Sequence, residues 1–168
     1  IVTYKATDSS GNTATKDVDY IIKPKPKNYI SQEEIDVLAD EVLKSIIKDN
    51  MSQREKARAI YDWIRSRIAY VSYTNNTDWV RAAYDGIKGR RGDCYVYFAT
   101  AKQLLTRAGI ENMDIVKING RHFWNMVNLG DGWYHFDTTP RTRGGEFFML
   151  TDAQLEAHSK KDRNSHVW

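Results

Sequence analysis

Gly92-Asp93-Cys94-Tyr95-Val96-Tyr97-Phe98-Ala99-Thr100-Ala101-Lys102-Gln103-Leu104-Leu105-Thr106-Arg107-Ala108-Gly109 is the stretch on which the reading of this chain turns. Asp93 is a good helix cap and Gly109 a good helix-terminating residue, so the spacing predicts a helix starting at about Cys94. From Met113 the hydrophobic period changes from helical to alternating. Strands are expected at about 113–118, 122–129 and 133–138, then from Phe147 to Leu150. Upstream, Ser31 with Glu34 forms a capping-box pattern ahead of Ile35, Leu38, Ala39, Val42, Leu43, Ile46 and Ile47 at helical spacing. A second box, Ser52 with Glu55, opens a helix carrying Ala57, Ile60, Tyr61, Ile64 and Ile68 on one face. A shorter helix is expected from Asp78 through Ile87, and Gly89 and Gly92 bracket a basic loop. Helices come first and an antiparallel sheet follows, which is an α+β arrangement.

Outward from that domain, residues 1–22 read as two strands about the turn Asp8-Ser9-Ser10-Gly11-Asn12, with Val2, Tyr4, Ala6 and Val18, Tyr20, Ile22 alternating. An isolated hairpin is marginal in water and calls for a partner sheet. Alternating prolines in Lys23-Pro24-Lys25-Pro26-Lys27 favour an extended linker, assigned to 23–29. Residues 30–168 then form the main domain.

Apolar residues make up 41 % of the 168 and charged residues 28 %, the balance of a folded globular domain. A net charge of +3 does not argue for nucleic acid, and the only basic cluster, Lys88 with Arg90-Arg91, is short. No apolar run is long enough to span a bilayer, and the absence of a signal peptide in what reads as a cut piece decides nothing about targeting. The abrupt start at Ile1 without Met reads as a piece of a longer protein. One cysteine excludes an intrachain disulfide and a multi-cysteine zinc site. No histidine spacing suggests a metal, and no cofactor is expected.

Three residues carry the chemistry. Cys94 at a helix N-terminus can offer a thiolate, and its own N–H can face a developing oxyanion. Taken alone, a single cysteine is more often a small buried hydrophobe. His122 follows Asn119-Gly120-Arg121 and begins a strand, with Trp124 on its face and Asn125 on the other. Asp137 closes the apolar run Trp133-Tyr134-His135-Phe136, where a carboxylate needs a partner, or else it caps the turn before Thr138-Thr139-Pro140. His122 stands directly opposite Asp137 if the chain reverses between Leu129 and Gly130. A turn centred on Asp131 would put the pair out of register by about three residues. His135 would share the face of Asp137 and so competes for the role of base. His158 and His166 lie in a polar tail and are expected to be solvated.

The ordered motifs Gly92-Asp93-Cys94, Ala101 to Gly109, His122-Phe123-Trp124-Asn125-Met126-Val127 and Gly132-Trp133-Tyr134-His135-Phe136-Asp137-Thr138-Thr139 resemble the transglutaminase-like superfamily, a branch of the papain-like fold. The resemblance covers about residues 30–150. It implies a transglutaminase-core fold in which N-terminal helices pack on an antiparallel sheet and the nucleophile heads a helix. It implies Cys94 as nucleophile, His122 as general base then acid, and Asp137 as the carboxylate that orients the imidazole. It favours His122 over His135. The family's oxyanion side chain has no clear match; Trp79 and Tyr73 are candidates, each also readable as a core aromatic, and Trp124 is a further possible substrate-binding residue. The calcium-binding context of animal transglutaminases is absent, so calcium dependence is not implied. Residues 4–12 resemble the closing hairpin of bacterial immunoglobulin-like surface modules, which implies an extracellular or cell-surface parent; the alternative is an amino-terminal hairpin belonging to the main domain.

The expected function is cysteine-dependent acyl transfer or amide hydrolysis on protein or peptide substrates, through a thioester acyl-enzyme. The acyl group passes to a lysine amine, or to water in deamidation or proteolysis. Cell-wall or surface proteins are the expected partners, with no nucleic acid and no membrane insertion. The alternative is a non-catalytic surface binding module that keeps the fold.

Overall fold

A computed structural model describes residues 1–21, 29–74, 78–118, 120–141 and 144–168. The expected linker lies outside these residues except for Tyr29. Strands β1 (Val2–Thr7) and β2 (Thr13–Val18) pair antiparallel from Val2 opposite Val18 to Thr7 opposite Thr13. Asp8 closes their turn by accepting from the backbone N–H groups of Ser10 and Asn12, and Gly11 supplies the left-handed φ of 85°. Every residue of β1 is exposed.

The helices form where the caps and apolar spacing placed them. Helix α1 (Gln32–Ile46) starts at Ser31, whose hydroxyl accepts from the Glu34 N–H. Helix α2 (Gln53–Arg67) has the full reciprocal box between Ser52 and Glu55. Strand β3 is only Ala69–Tyr70, and helix α3 (Trp79–Tyr84), capped by Asp78, runs on as a π turn over Asp85–Gly89. A Cβ on Gly86 would lie 2.0 Å from Thr100 Oγ1, so glycine lets this turn press against the next helix. Strand β4 (Arg91–Gly92) pairs parallel with β3, placing Tyr70 beside Gly92. Helix α4 (Cys94–Arg107) is buried along most of its length and packs on α1, α2, α3 and the sheet. Its apolar residues therefore run around the helix instead of along one stripe.

Strands β5 (Glu111–Val116), β6 (Phe123–Asn128), β7 (Trp133–Asp137) and β8 (Phe147–Leu150) form one antiparallel sheet in chain order. The α+β arrangement expected from the change of period is the one the chain adopts. The principal core joins α1 to α4 with Val127, Phe136 and Met149. A smaller core of Trp124, Phe147 and Leu155 lies beneath α5 (Asp152–Lys161). Met149 is the extra residue of a bulge between β7 and β8, with φ of 55°. Helix α5 was not expected: only Leu155 and Ser159 are buried along it, so its apolar period is faint, although Thr151 and Gln154 form a capping box. Among the described residues no helix is long and apolar enough to cross a membrane.

Candidate active site

Asp93 fixes the first turn of α4. Its Oδ1 accepts from the N–H groups of Tyr95 and Val96, at 3.1 and 3.3 Å, and its Oδ2 accepts from Thr74 N–H at 2.7 Å. The partly exposed Cys94 thus sits where unpaired helix N–H groups favour negative charge. Gly92 is required by space: a Cβ there would fall 2.2 Å from Val96 Cβ.

His122 lies one residue before β6, and its carbonyl accepts from Lys117 N–H to extend the β5–β6 ladder. Its Nε2 is 2.7 Å from Asp137 Oδ2. The Cys94 thiol donates to the Arg121 carbonyl at 3.4 Å, and from there it raises the proton affinity of the His122 ring. Cys94, His122 and Asp137 are therefore brought together.

The register that achieves this differs from the expected one. Asn125 opposes Phe136 and Met126 opposes His135, so the chain reverses between Gly130 and Asp131. Gly130, at φ 92°, takes the first turn position, where such hairpins favour glycine. Asp137 consequently stands opposite Trp124, and His122 is its diagonal neighbour on the same face. Diagonal neighbours lie within reach of a long ring. Asp137 also fulfils both readings made of it. Oδ2 meets His122 while Oδ1 accepts from Thr139 N–H at 2.9 Å and closes the turn.

Burial opposes charge on His122, but the Asp137 carboxylate, helped by Cys94, outweighs it and pushes the imidazole up to about 9. For Asp137, burial alone would raise the carboxyl, and the surrounding His122, His166 and Arg141 instead hold it well below the usual carboxylate range.

His166 corrects the sequence reading. It is 1 % exposed, not solvated, and its Nε2 lies 3.0 Å from Asp137 Oδ2. Arg141 was also missed; its guanidinium reaches the same oxygen and the Nε2 atoms of His122 and His166. The donor atoms of His122, Asp137 and His166 all lie within 4.8 Å of one another, close enough to chelate a cation. Arg141 already places positive charge at that point of convergence. His158 is exposed, as expected.

His135 is fully buried and occupied on both nitrogens. Nδ1 accepts from Trp124 Nε1 and Nε2 meets Asp152 Oδ1, each at 3.0 Å. Burial depresses its proton affinity. It is a structural acceptor and does not compete with His122. The same bond corrects the reading of Trp124: it is 1 % exposed with its N–H engaged, and it stacks on His122 at 5.5 Å, a buried packing partner of the imidazole. Trp79 is half-buried against the principal core beneath the Lys102 ammonium, 4.7 Å away, and Tyr73 is exposed. Tyr70 was missed because a two-residue strand has no readable period. It is half-exposed, and burial, then the neighbouring Cys94 and Asp93, raise its phenol above the ordinary value.

Residues 40–138 match the family model of the Transglutaminase-like superfamily. The chain belongs to that superfamily. It is similar in fold to the crystal structure of a TGase, at TM-score 0.57 and 15 % identity over 79 % of this chain and 39 % of that one. It is also similar to a candidate cysteine protease from Cytophaga hutchinsonii, at TM-score 0.51 and 18 % identity over 83 % of this chain and 62 % of that one. The chain thus spans about two fifths and three fifths of those two structures. No curated protein matches it.

Proposed function

We propose that this chain is a thiol enzyme that opens carboxamide or peptide bonds in protein substrates through a thioester. The observation that carries the reading is the convergence of a cysteine at the first position of a capped helix, a strongly basic imidazole and a buried carboxylate in the chain order Cys94, His122, Asp137. Cys94 and His122 work as a thiolate–imidazolium pair in which the ring already holds the thiol's proton, and sulfur attacks the carbonyl carbon. The tetrahedral oxyanion faces the Cys94 N–H and the Tyr70 hydroxyl, whose phenol feels the neighbouring Cys94. As the C–N bond breaks, the imidazolium protonates the departing nitrogen and the thioester forms. A lysine amine or water then attacks the thioester, gives its proton to His122, and restores the pair. Asp137 holds the ring in one orientation throughout and offsets its charge.

The exposed hairpin β1–β2 supports a parent in which an immunoglobulin-like module precedes this domain on a cell surface, with surface proteins as substrates. Immunoblotting of surface-shaved and intact cells with antibody to this domain tests the location.

The enzymatic reading is tested by mass spectrometry after iodoacetamide at neutral pH, on the wild type and His122→Ala. Rapid labelling of Cys94 only in the wild type is expected. Equal, slow labelling of both would leave the non-catalytic binding module as the better account. Glutamine peptides incubated with and without a primary amine then separate transferase from hydrolase.

A further inference from the structure

We infer that His166 is a positioning residue, carried on the chain segment 164–168, that holds the Asp137 carboxylate in the orientation His122 requires. The inference rests on the thiol–imidazole reading above and adds a fourth side chain to it. A buried imidazole is costly unless both nitrogens are partnered, and an apolar side chain would fill the space between Phe147 and Trp124 equally well. His166 instead places Nε2 at 3.0 Å from Asp137 Oδ2, while Nδ1 lies 3.0 Å from Ser165 Oγ. In the tautomer that carries its proton on Nε2, that N–H donates to the carboxylate beside the Arg141 guanidinium, 2.5 Å away, and Nδ1 accepts the Ser165 hydroxyl proton. Asp137 is thereby held from both ends: Oδ1 by Thr139 N–H, and Oδ2 by His166 and Arg141 as well as by His122. A carboxylate so held does not rotate away, and His122 meets a fixed acceptor.

The segment is tied down for this purpose. Ser159 Oγ–H donates to the His166 carbonyl at 2.6 Å, and the His166 N–H donates back to Ser159 Oγ at 3.0 Å. Ile118 N–H donates to the Val167 carbonyl at 2.7 Å, and the Trp168 ring packs edge-on against His135 at 4.4 Å. Among the described residues, the charged and titratable groups in contact with His166 are Asp137, Arg141 and His122, and Asp152, Glu156 and Lys160 line the same pocket; the Phe147 and Trp124 rings and the hydroxyls of Ser159 and Ser165 also touch it.

The test measures Cys94 alkylation by iodoacetamide from pH 5 to 9 in the wild type and in His122→Ala, His166→Ala, His166→Gln and His166→Asn, with thermal melts of each. A glutamine amide nitrogen reaches the position of imidazole Nε2, whereas that of asparagine reaches only Nδ1. Alanine and asparagine are therefore expected to slow alkylation at pH 6 by about tenfold, the equivalent of roughly one pH unit. Glutamine is expected to restore it, whatever the change in melting temperature. Wild-type rates in folded His166→Ala and His166→Asn would overturn the inference while leaving the His122 dependence intact. If alanine does not fold, equal rates for the glutamine and asparagine variants would overturn it. A wild type that labels like His122→Ala would remove the underlying thiol–imidazole reading as well.

Discussion

Replacing Asp137 by asparagine should return His122 to a neutral ring at pH 7 and weaken the fold in a pH-dependent way. In the native site the imidazole rises from 6.5 to about 9 against the opposing effect of its own burial. That rise is worth about 3 kcal/mol of preference for the charged ring. His122 is nearly enclosed and its 2.7 Å contact is made inside the protein, so solvent screening removes little of it. Because the folded value is the higher one, this stability is fully present below about pH 6.5 and is lost as pH rises through about 9. Asp137 behaves in the opposite sense: its contribution is present above the ordinary carboxylate range and lost as pH falls through its depressed value. An amide at 137 cannot balance the imidazolium, so burial then decides and the ring loses its proton. NMR titration of the His122 Cε1–H should give a midpoint near 9 in the wild type and below 6.5 in Asp137→Asn. Urea unfolding at pH 7 should show a loss of about 3 kcal/mol, the range for breaking a buried ion pair. The deficit should shrink at pH 10, where the wild-type ring is itself neutral. A wild-type midpoint near 6.5, or a midpoint unmoved by the substitution, would refute the electrostatic account of the site.

Gly92→Ala should lower the melting temperature and slow Cys94 alkylation together, because the new methyl meets Val96 at the start of the nucleophile helix. His135→Leu removes the acceptor of the buried Trp124 N–H and should cost about 1–3 kcal/mol in urea unfolding. Cys94 alkylation at 25 °C should stay at the wild-type rate in that variant. Tyr70→Phe should reduce amide turnover by roughly 100-fold while leaving alkylation unchanged, since iodoacetamide forms no tetrahedral oxyanion. Equal losses in both assays would assign Tyr70 to the thiol instead.

The helices were legible because their signals are local. Ser52 and Glu55 announce α2 within four residues, and Asp93 and Gly109 mark both ends of α4. The three converging residues were legible through motif order, but their pairing was not. Gly130 and Gly132 flank Asp131, and either can serve a tight turn, so the reversal point was open by a residue or two. A two-residue difference keeps His122 and Asp137 on one face, which is why the expected association survives a different register. His166 was not legible. It comes from a segment 29 positions beyond Asp137, and nothing in Ser165-His166-Val167 signals burial. Its position depends on Ser159, hence on α5, whose period is carried by two buried residues. Tyr70 and Arg141 act through tertiary proximity alone, which composition and spacing do not encode.

Asp93 gives one carboxylate two structural duties, one oxygen on the first turn of α4 and the other on Thr74. Thr74 cannot lift away without also changing the cap beneath Cys94. Amide protons at Thr74, Tyr95 and Val96 should therefore exchange with solvent as one cooperative unit. Whatever docks against Thr74 is felt at the sulfur, not through a long relay but through the two oxygens of a single side chain.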